Sequence, residues 1–226
     1  MPASPRSIIF LHGFASSYDH GWVQSGWTDI LADVNVQIPP LDLPGHGTRG
    51  EQWQPEDFDD IESSVFASLP GPTPHWAVGF SAGAQLLLRM AIAHPEAFSR
   101  IVLMGISDRI FATQSTDEMI AGLEATDDSE DIQLQVFRRL AATTGNDVDA
   151  LVRFLRAPNP ALSIEDVAKV SCPVLVIVGE RDDEPPVSLV DALPDARLLI
   201  LPGVDHFATP SDFGAIDATM RFFDLG

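Results

Sequence analysis

A serine lies between two glycines in the pentapeptide Gly-Phe-Ser-Ala-Gly, residues 79–83. The apolar run before it, residues 75–78, is typical of a strand, and the leucine-rich run after it, residues 84–90, is typical of a helix. Flanking glycines let the main chain turn sharply from strand to helix, and such a turn exposes the serine hydroxyl at its tip. This context makes Ser81 a candidate nucleophile.

A histidine and a carboxylate follow Ser81 at positions where they can activate it. A serine hydroxyl is a poor nucleophile at neutral pH unless a histidine accepts its proton and a carboxylate orients that histidine. Asp182 follows the apolar run 173–178, and His206 follows the apolar run 197–201. The loops after parallel strands emerge at one edge of the sheet, so these side chains can meet Ser81.

Several carboxylates compete for the role of the orienting acid. Asp183 and Glu184 directly follow Asp182, so the residues alone leave the choice among these three open. Asp205 adjoins His206, but the side chains of adjacent residues seldom point at each other's reactive atoms. A loop-capping role suits Asp205 better.

The other histidines have no obvious chemical partner. His12 and His46 lie beside glycines in predicted loops, and neither has a partner at the spacing that metal ligands require. We therefore expect both imidazoles to fix loop geometry rather than to bind a metal. The remaining three, His20, His75 and His94, belong to no motif.

Apolar runs alternate with helical periodicity over the first half of the chain. Strand-like runs cover residues 7–11, 34–38, 75–78 and 101–104, and helix-like stretches cover residues 26–32, 56–68 and 82–94. Continuous apolar strands separated by helices are typical of a parallel sheet with both faces covered. The order predicts a doubly wound α/β fold.

A helical insertion interrupts this alternation. Residues 108–168 contain no strand-like run, only helix-like stretches at 117–123, 130–142 and 148–155. Strands at 173–178 and 197–201 and a final amphipathic helix at 211–223 then follow. We predict an α/β core of residues 1–107 and 169–226 with a mostly parallel sheet. Residues 108–168 form a helical cap that is not an independent domain.

Five short motifs occur in an order that resembles the α/β-hydrolase superfamily over nearly the whole chain. They are His-Gly at 12–13, Pro-Gly-His-Gly at 44–47, the pentapeptide at 79–83, Gly-Glu-Arg-Asp at 179–182 and Asp-His at 205–206. The chain order of serine, aspartate and histidine is also the one expected when the serine lies on a strand-to-helix turn.

The resemblance implies a role for each site residue. Ser81 would be the nucleophile, His206 the general base and Asp182, three residues after a strand-ending glycine, the acid that orients the base. The main-chain N–H groups of Phe14 and Ala82 would form the oxyanion hole. The resemblance implies no metal and no organic cofactor.

These roles predict an enzyme that transfers acyl groups. We expect a serine hydrolase that cleaves a small, largely apolar carboxylic ester or thioester through an acyl-enzyme on Ser81. The predicted cap is rich in apolar side chains, most of which we expect to face the sheet domain as the core of the cap, so they define the polarity of the pocket only loosely: Ile120, Leu123, Val136, Phe137, Leu140 and Phe154. Hydrolysis or lysis of a carbon–carbon bond in a diketone-like substrate is the alternative within this fold. A non-enzymatic ligand sensor is a further alternative, although a sensor would be expected to lose part of the catalytic set.

Composition excludes several kinds of partner. The chain has 226 residues with 33 acidic against 13 basic side chains, a net charge of -20, so nucleic acid and anionic membranes would repel it. No run of 18 apolar residues and no signal-peptide pattern occurs, so we expect a cytoplasmic protein without a membrane span. Cys172 is the only cysteine and precedes Pro173 at a strand start, which favours a packing role. The expected partner is a small-molecule substrate, with monomer and homodimer both open.

The acidic composition also leads to a testable hypothesis, adaptation to high salt. Self-repulsion of so many carboxylates destabilises the folded state, and added salt screens that repulsion. We expect the melting temperature to rise from low to molar sodium chloride, as followed by circular dichroism. A melting temperature that does not change with salt would contradict the hypothesis.

Overall fold

A computed structural model describes residues 6–48, 53–125, 132–182 and 184–225 of the chain. The six strands are β1 (Arg6–Leu11), β2 (Val36–Gln37), β3 (His75–Phe80), β4 (Phe98–Met104), β5 (Val174–Gly179) and β6 (Ala196–Leu201). They form one sheet in the order β2-β1-β3-β4-β5-β6, and every neighbouring pair is parallel. The predicted sheet is thus confirmed.

Nine α-helices connect or follow these strands in the described residues. They are α1 (Trp27–Asp33), α2 (Ile61–Ser68), α3 (Ala82–Ala93), α4 (Asp117–Glu124), α5 (Ile132–Thr144), α6 (Val148–Arg156), α7 (Ile164–Val167), α8 (Val187–Ala192) and α9 (Phe213–Phe222). None of these helices is long and apolar enough to cross a membrane.

The strand side chains alternate between two apolar cores, one on each face of the sheet. Helices α2, α3, α7 and α8 cover the face of Ile9, Leu11, Ala77, Ile101, Leu103, Val174, Val176 and Val178. Helices α1 and α9 cover the face of Ile8, Phe10, Val78, Val102, Met104, Leu175 and Ile177. Both faces of the central strands are buried, which explains their apolar runs, and helices on both faces make the fold doubly wound, as predicted. Cys172 is buried in the first core.

The strand predicted at residues 34–38 is shorter in the structure. Only Val36–Gln37 pairs with β1. Asn35 has φ +58°, which is incompatible with a strand, and Pro39 has no N–H to donate to a neighbouring strand. The local main chain therefore limits β2 from both sides.

The helix predicted at residues 56–68 starts later than its apolar periodicity indicates. A single 3₁₀ turn (Pro55–Phe58) comes first, and α2 begins at Ile61. Asp60 causes the new start, because its carboxylate accepts a hydrogen bond from the Ser63 N–H at 3.0 Å and so caps the helix.

Helices α4, α5 and α6 pack on the loop after β1 through a third apolar cluster. Its buried members are Phe14, Ala15, Ile120, Leu123, Phe137, Ala141, Leu151 and Val152. These helices lie at the positions predicted for the cap, except that residues 130 and 131 of one predicted helix lie outside the described residues. Residues 1–5 lie outside the described residues as well.

Candidate active site

Ser81 occupies a sharp turn between the end of β3 at Phe80 and the start of α3 at Ala82. Its main chain has φ +53° and ψ −115°, a conformation that non-glycine residues adopt only where the surroundings enforce it. The Ser81 N–H donates to the Met104 carbonyl at 2.8 Å, which ties the turn to the end of β4. The serine is therefore held at the carboxyl edge of the sheet.

Both glycines of the pentapeptide are needed because other main-chain segments approach them too closely for any side chain. A Cβ atom on Gly79 would lie 2.5 Å from the Gly83 carbonyl oxygen and 2.7 Å from Ala84 Cα. A Cβ atom on Gly83 would overlap the Leu11 carbonyl oxygen and would lie 2.6 Å from that of His12. The turn is thus packed directly against the end of β1.

The structure brings Ser81, His206 and Asp182 together. His206 Nε2 lies 3.0 Å from Ser81 Oγ, and His206 Nδ1 lies 2.9 and 3.0 Å from the two Asp182 carboxylate oxygens. With its hydrogen on Nδ1, the imidazole donates to the carboxylate and leaves Nε2 able to accept the serine proton. The Asp182 side chain is only 11% exposed, so water competes little for this hydrogen bond.

Asp205 and Glu184, the other candidate carboxylates whose placement is described, are not in this arrangement. Asp205 Oδ1 accepts a hydrogen bond from the Ala208 N–H at 2.9 Å, so it caps its own loop as predicted. Glu184 is exposed to solvent. Asp183 lies outside the described residues. Of the carboxylates whose placement is described, Asp182 is the one that contacts His206 through hydrogen bonds.

The loops that carry the acid and the histidine are joined to each other. Glu180 accepts a hydrogen bond from the Gly203 N–H at 2.7 Å, and the Arg181 N–H donates to the Val204 carbonyl at 2.9 Å. These contacts link the loop after β5 to the loop after β6. They fix the distance between the two side chains, because both loops start from neighbouring parallel strands.

Two main-chain N–H groups are available near Ser81. In the hydrogen bonds of the described residues, the N–H of Phe14 and the N–H of Ala82 have no acceptor. Ala82 is the first residue of α3, where N–H groups have no partner within the helix and the helix dipole favours negative charge. Phe14 lies in the loop after β1, which contacts the first turn of α3 through Gly83. Both donors predicted from the sequence are therefore in adjacent segments.

A side chain between α5 and α6 holds the loop after β1. Asn146 Nδ2 donates to the Ala15 carbonyl at 2.7 Å and to the Ser16 carbonyl at 3.2 Å. Asn146 Oδ1 also accepts the N–H of Gly47. Ala15 has φ +57°, a conformation that needs such support in a non-glycine residue. We call this set of bonds the Asn146 clamp.

His12 and His46 fix loops, as predicted. His12 Nδ1 donates to the Gly13 carbonyl at 2.9 Å while its Nε2 accepts the Leu43 N–H at 3.1 Å, and His46 Nδ1 donates to the Pro44 carbonyl at 2.8 Å. Burial lowers the pKa of His12, and burial together with the nearby His12 lowers the pKa of His46 to about 3. Both rings are neutral at pH 7. No cluster of three metal-ligating side chains occurs in the described ranges.

A cavity of about 230 Å³ opens at Ser81 and His206. Its wall from α5 is apolar and consists of Val136, Phe137 and Leu140, beside Phe207. The ring of Phe207 meets that of Phe137 edge to face at 5.9 Å. The other wall of the cavity comes from the segment that follows β1 and includes Gly13, Phe14, Ser16, His20, Gly21 and Trp22.

His20 is a residue of the cavity that could not be recognised from any sequence motif. The residue lies in a single π-helical turn (Asp19–Val23) and lines the cavity. Such turns occur frequently at functional sites. Its position in the chain could have indicated a place in the site, because His20 follows the loop at the carboxyl end of β1, where a parallel α/β sheet binds its ligands.

Similarity to known proteins extends over nearly the whole chain. Residues 8–215 match the model of the alpha/beta hydrolase family. A pimeloyl-[acyl-carrier protein] methyl ester esterase from Nitrosomonas europaea is 27% identical over an alignment of 231 positions. The alignment covers 88% of this chain and 88% of that protein.

Solved structures share the fold. A carboxylesterase structure from the thaumarchaeon Nitrososphaera gargenis has a TM-score of 0.69 at 17% identity and covers 98% of this chain and 90% of its own. A 2-hydroxy-6-oxo-6-phenylhexa-2,4-dienoate hydrolase from Rhodococcus sp. strain RHA1 has a TM-score of 0.67 at 17% identity. The match covers 97% of this chain and 90% of that protein's chain. At such identities the likeness concerns the fold alone.

Taken with the hydrogen bond between His206 and Ser81, these similarities define a serine ester hydrolase. The chain belongs to the alpha/beta hydrolase family, as its motif order predicts.

The close approach at Gly83 gives a prediction about stability. We expect Gly83→Ala to lower the free energy of unfolding by roughly 3 kcal/mol, because carbonyl oxygens of the main chain cannot rotate away from the new Cβ. The matched control is Gly26→Ala, where φ is +85° but nothing lies within 4 Å of an added Cβ. It should cost about 1 kcal/mol of backbone strain. Urea denaturation measures both, and equal losses would contradict the steric account.

Proposed function

We propose that Ser81 is the nucleophile of an acyl-transfer reaction in which His206 is the general base and Asp182 orients it. The supporting observation is the continuous pair of contacts from Asp182 to His206 and from His206 to Ser81, at 2.9 and 3.0 Å. Ser81 Oγ attacks the ester carbonyl as His206 Nε2 takes its proton. The imidazolium then donates that proton to the alkoxide oxygen as the ester C–O bond breaks, so the alcohol departs and the acyl group stays on Ser81.

Water completes the cycle by the same route. His206 Nε2 takes a proton from a water molecule, which attacks the acyl carbonyl and releases the carboxylic acid, and the proton returns to Ser81 Oγ. Both steps place negative charge on the carbonyl oxygen. We propose that the Phe14 and Ala82 N–H groups stabilise this oxyanion, since neither has an acceptor among the described residues. Their placement before the chemistry begins avoids reorganisation in the transition state.

The cavity supports a small ester as the substrate. Its volume of about 230 Å³ leaves little room for a long acyl chain or a triglyceride, and its apolar α5 wall suits an apolar substrate group. The Nitrosomonas europaea relative carries the name of a methyl ester esterase, which agrees with a small alcohol as the leaving group. We propose a small, largely apolar carboxylic ester as the substrate, with the corresponding thioester as a chemically equivalent acyl donor.

The Rhodococcus structure carries the name of a hydrolase of a different substrate class, yet only its fold is shared with this chain. Carbon–carbon bond hydrolysis therefore stays the alternative within the fold. We also propose that residues 108–168 act as a cap that shapes the pocket, because α5 supplies its apolar wall. A cytoplasmic location stays a prediction from the sequence.

Removal of the Ser81 hydroxyl tests the nucleophile. We expect Ser81→Ala to reduce hydrolysis of p-nitrophenyl acetate by at least about 1000-fold, because no acyl-enzyme can form. Circular dichroism should remain that of the wild type. Labelling of the wild type, but not of the variant, by a fluorophosphonate probe is the second measurement. Retained turnover in a folded variant would refute the assignment.

Two aspartates near His206 provide a matched test of the orienting acid. Asp182→Asn should lower kcat by about 1000-fold or more, because an amide cannot accept the Nδ1 hydrogen and the imidazole adopts the wrong tautomer. Asp205→Asn removes the same charge beside His206 but keeps an oxygen for the Ala208 N–H, so kcat should change by less than about threefold. Similar losses in the two variants would contradict the assignment of Asp182.

A further inference from the structure

The cavity wall that follows β1 carries two polar side chains in contact with each other. Ser16 Oγ lies 3.2 Å from His20 Nδ1, and both residues line the cavity together with Ser81. The His20 N–H donates to the Ser17 hydroxyl at 3.2 Å, which fixes the histidine main chain at the start of the π-helical turn. We call Ser16 and His20 the polar pair.

One atom of the polar pair is left for a ligand. The His20 Nδ1 position is occupied by the contact with Ser16, whereas its Nε2 makes no hydrogen bond to any residue that the structure describes. The ring is partly exposed rather than enclosed by protein. Burial nevertheless lowers the pKa of His20, so the ring is neutral at pH 7 and Nε2 donates or accepts according to the tautomer. Rotation of the Ser16 hydroxyl allows either tautomer.

The surroundings exclude an anionic ligand group. Among the residues that the structure describes, those that line this cavity include no arginine and no lysine, and the polar pair itself is uncharged. The chain as a whole carries a net charge of -20. A carboxylate or phosphate in the cavity would lose its hydration without gaining a cationic partner, whereas a neutral polar group needs only one hydrogen bond.

We propose that Ser16 and His20 form a specificity subsite that binds an uncharged hydrogen-bonding group of the substrate, such as a ketone, ether or hydroxyl. The substrate is then an ester with an apolar portion against α5 and a neutral polar substituent that hydrogen-bonds to His20 Nε2. The subsite deepens the proposed function and rests on it, since the ester is the one cleaved at Ser81.

Matched esters test the subsite on both sides of the scissile bond. On the acyl side, methyl pentanoate, methyl 4-oxopentanoate and monomethyl succinate have similar size and differ in carrying a methylene, a ketone or a carboxylate. On the alcohol side, butyl acetate and 2-methoxyethyl acetate differ by one ether oxygen. The measured quantity is the ratio of kcat/KM for the neutral polar ester to that for its apolar match.

The variants change the polar pair one group at a time. His20→Leu should lower this ratio about fivefold to tenfold in the series whose polar group reaches His20, because one hydrogen bond is lost. Ser16→Ala should lower it less, since the imidazole remains but loses its orienting partner. His20→Gln, which keeps a donor and an acceptor, should restore most of the ratio. Gln24→Leu is the control, because Gln24 is an exposed polar residue at the end of the same turn and does not line the cavity.

Each outcome decides the proposal. Support requires a fall in the ratio in one series for His20→Leu, its recovery in His20→Gln and no fall in Gln24→Leu. An unchanged ratio in both series, an equal fall in Gln24→Leu, or a wild-type preference for monomethyl succinate overturns it. Thermal melting of every variant identifies loss of folding, and the ratio is independent of the fraction of active enzyme.

Failure of the subsite is distinguishable from failure of the proposed function. If the wild type hydrolyses the apolar esters and Ser81→Ala does not, the acyl-enzyme mechanism stands whatever His20→Leu does. If Ser81→Ala retains hydrolysis, the proposed function fails and the subsite fails with it.

Discussion

The contact between Gly83 and the end of β1 is the constraint on which the site depends. The first turn of α3 lies so close to the Leu11 and His12 carbonyls that no side chain fits between them. This approach places the Ser81 turn beside the loop after β1, and it brings together two segments whose Phe14 and Ala82 N–H groups have no acceptor in the described part of the chain. The loops after β5 and β6 then reach Ser81 from the same edge of the sheet, because all strands are parallel.

Most of the fold could be predicted because strands that are buried on both faces of the sheet are recognisable in the sequence as apolar runs. Strands β1, β3, β4 and β5 each contain a continuous apolar run, and the helices between them show helical periodicity. The hydrophobic pattern gave wrong element bounds where a local main-chain feature sets the start or end of a strand or helix. The left-handed Asn35 shortens β2, and the Asp60 cap delays α2, and neither effect changes the hydrophobic pattern.

The site was predictable where chemistry and chain order coincide, at Ser81 and His206. The acid was harder, since three adjacent carboxylates have the same chemistry and only the path of the loop after β5 separates Asp182 from Glu184. His20 and Asn146 could not be found by pattern. Asn146 contacts Ala15 across 131 residues of sequence, and such a contact exists only after the chain has folded.

The Asn146 clamp has a consequence for how this enzyme can be altered. Exchange of helices α4, α5 and α6 of the proposed cap would replace the cavity wall that α5 supplies. Here the junction of α5 and α6 also supports the positive φ of Ala15, next to Phe14. A foreign cap without a side-chain amide at the position of Asn146 would leave the loop after β1 unsupported. One segment thus borders the cavity and supports the loop that carries Phe14, so its exchange must transfer the Asn146 side chain along with the wall from α5.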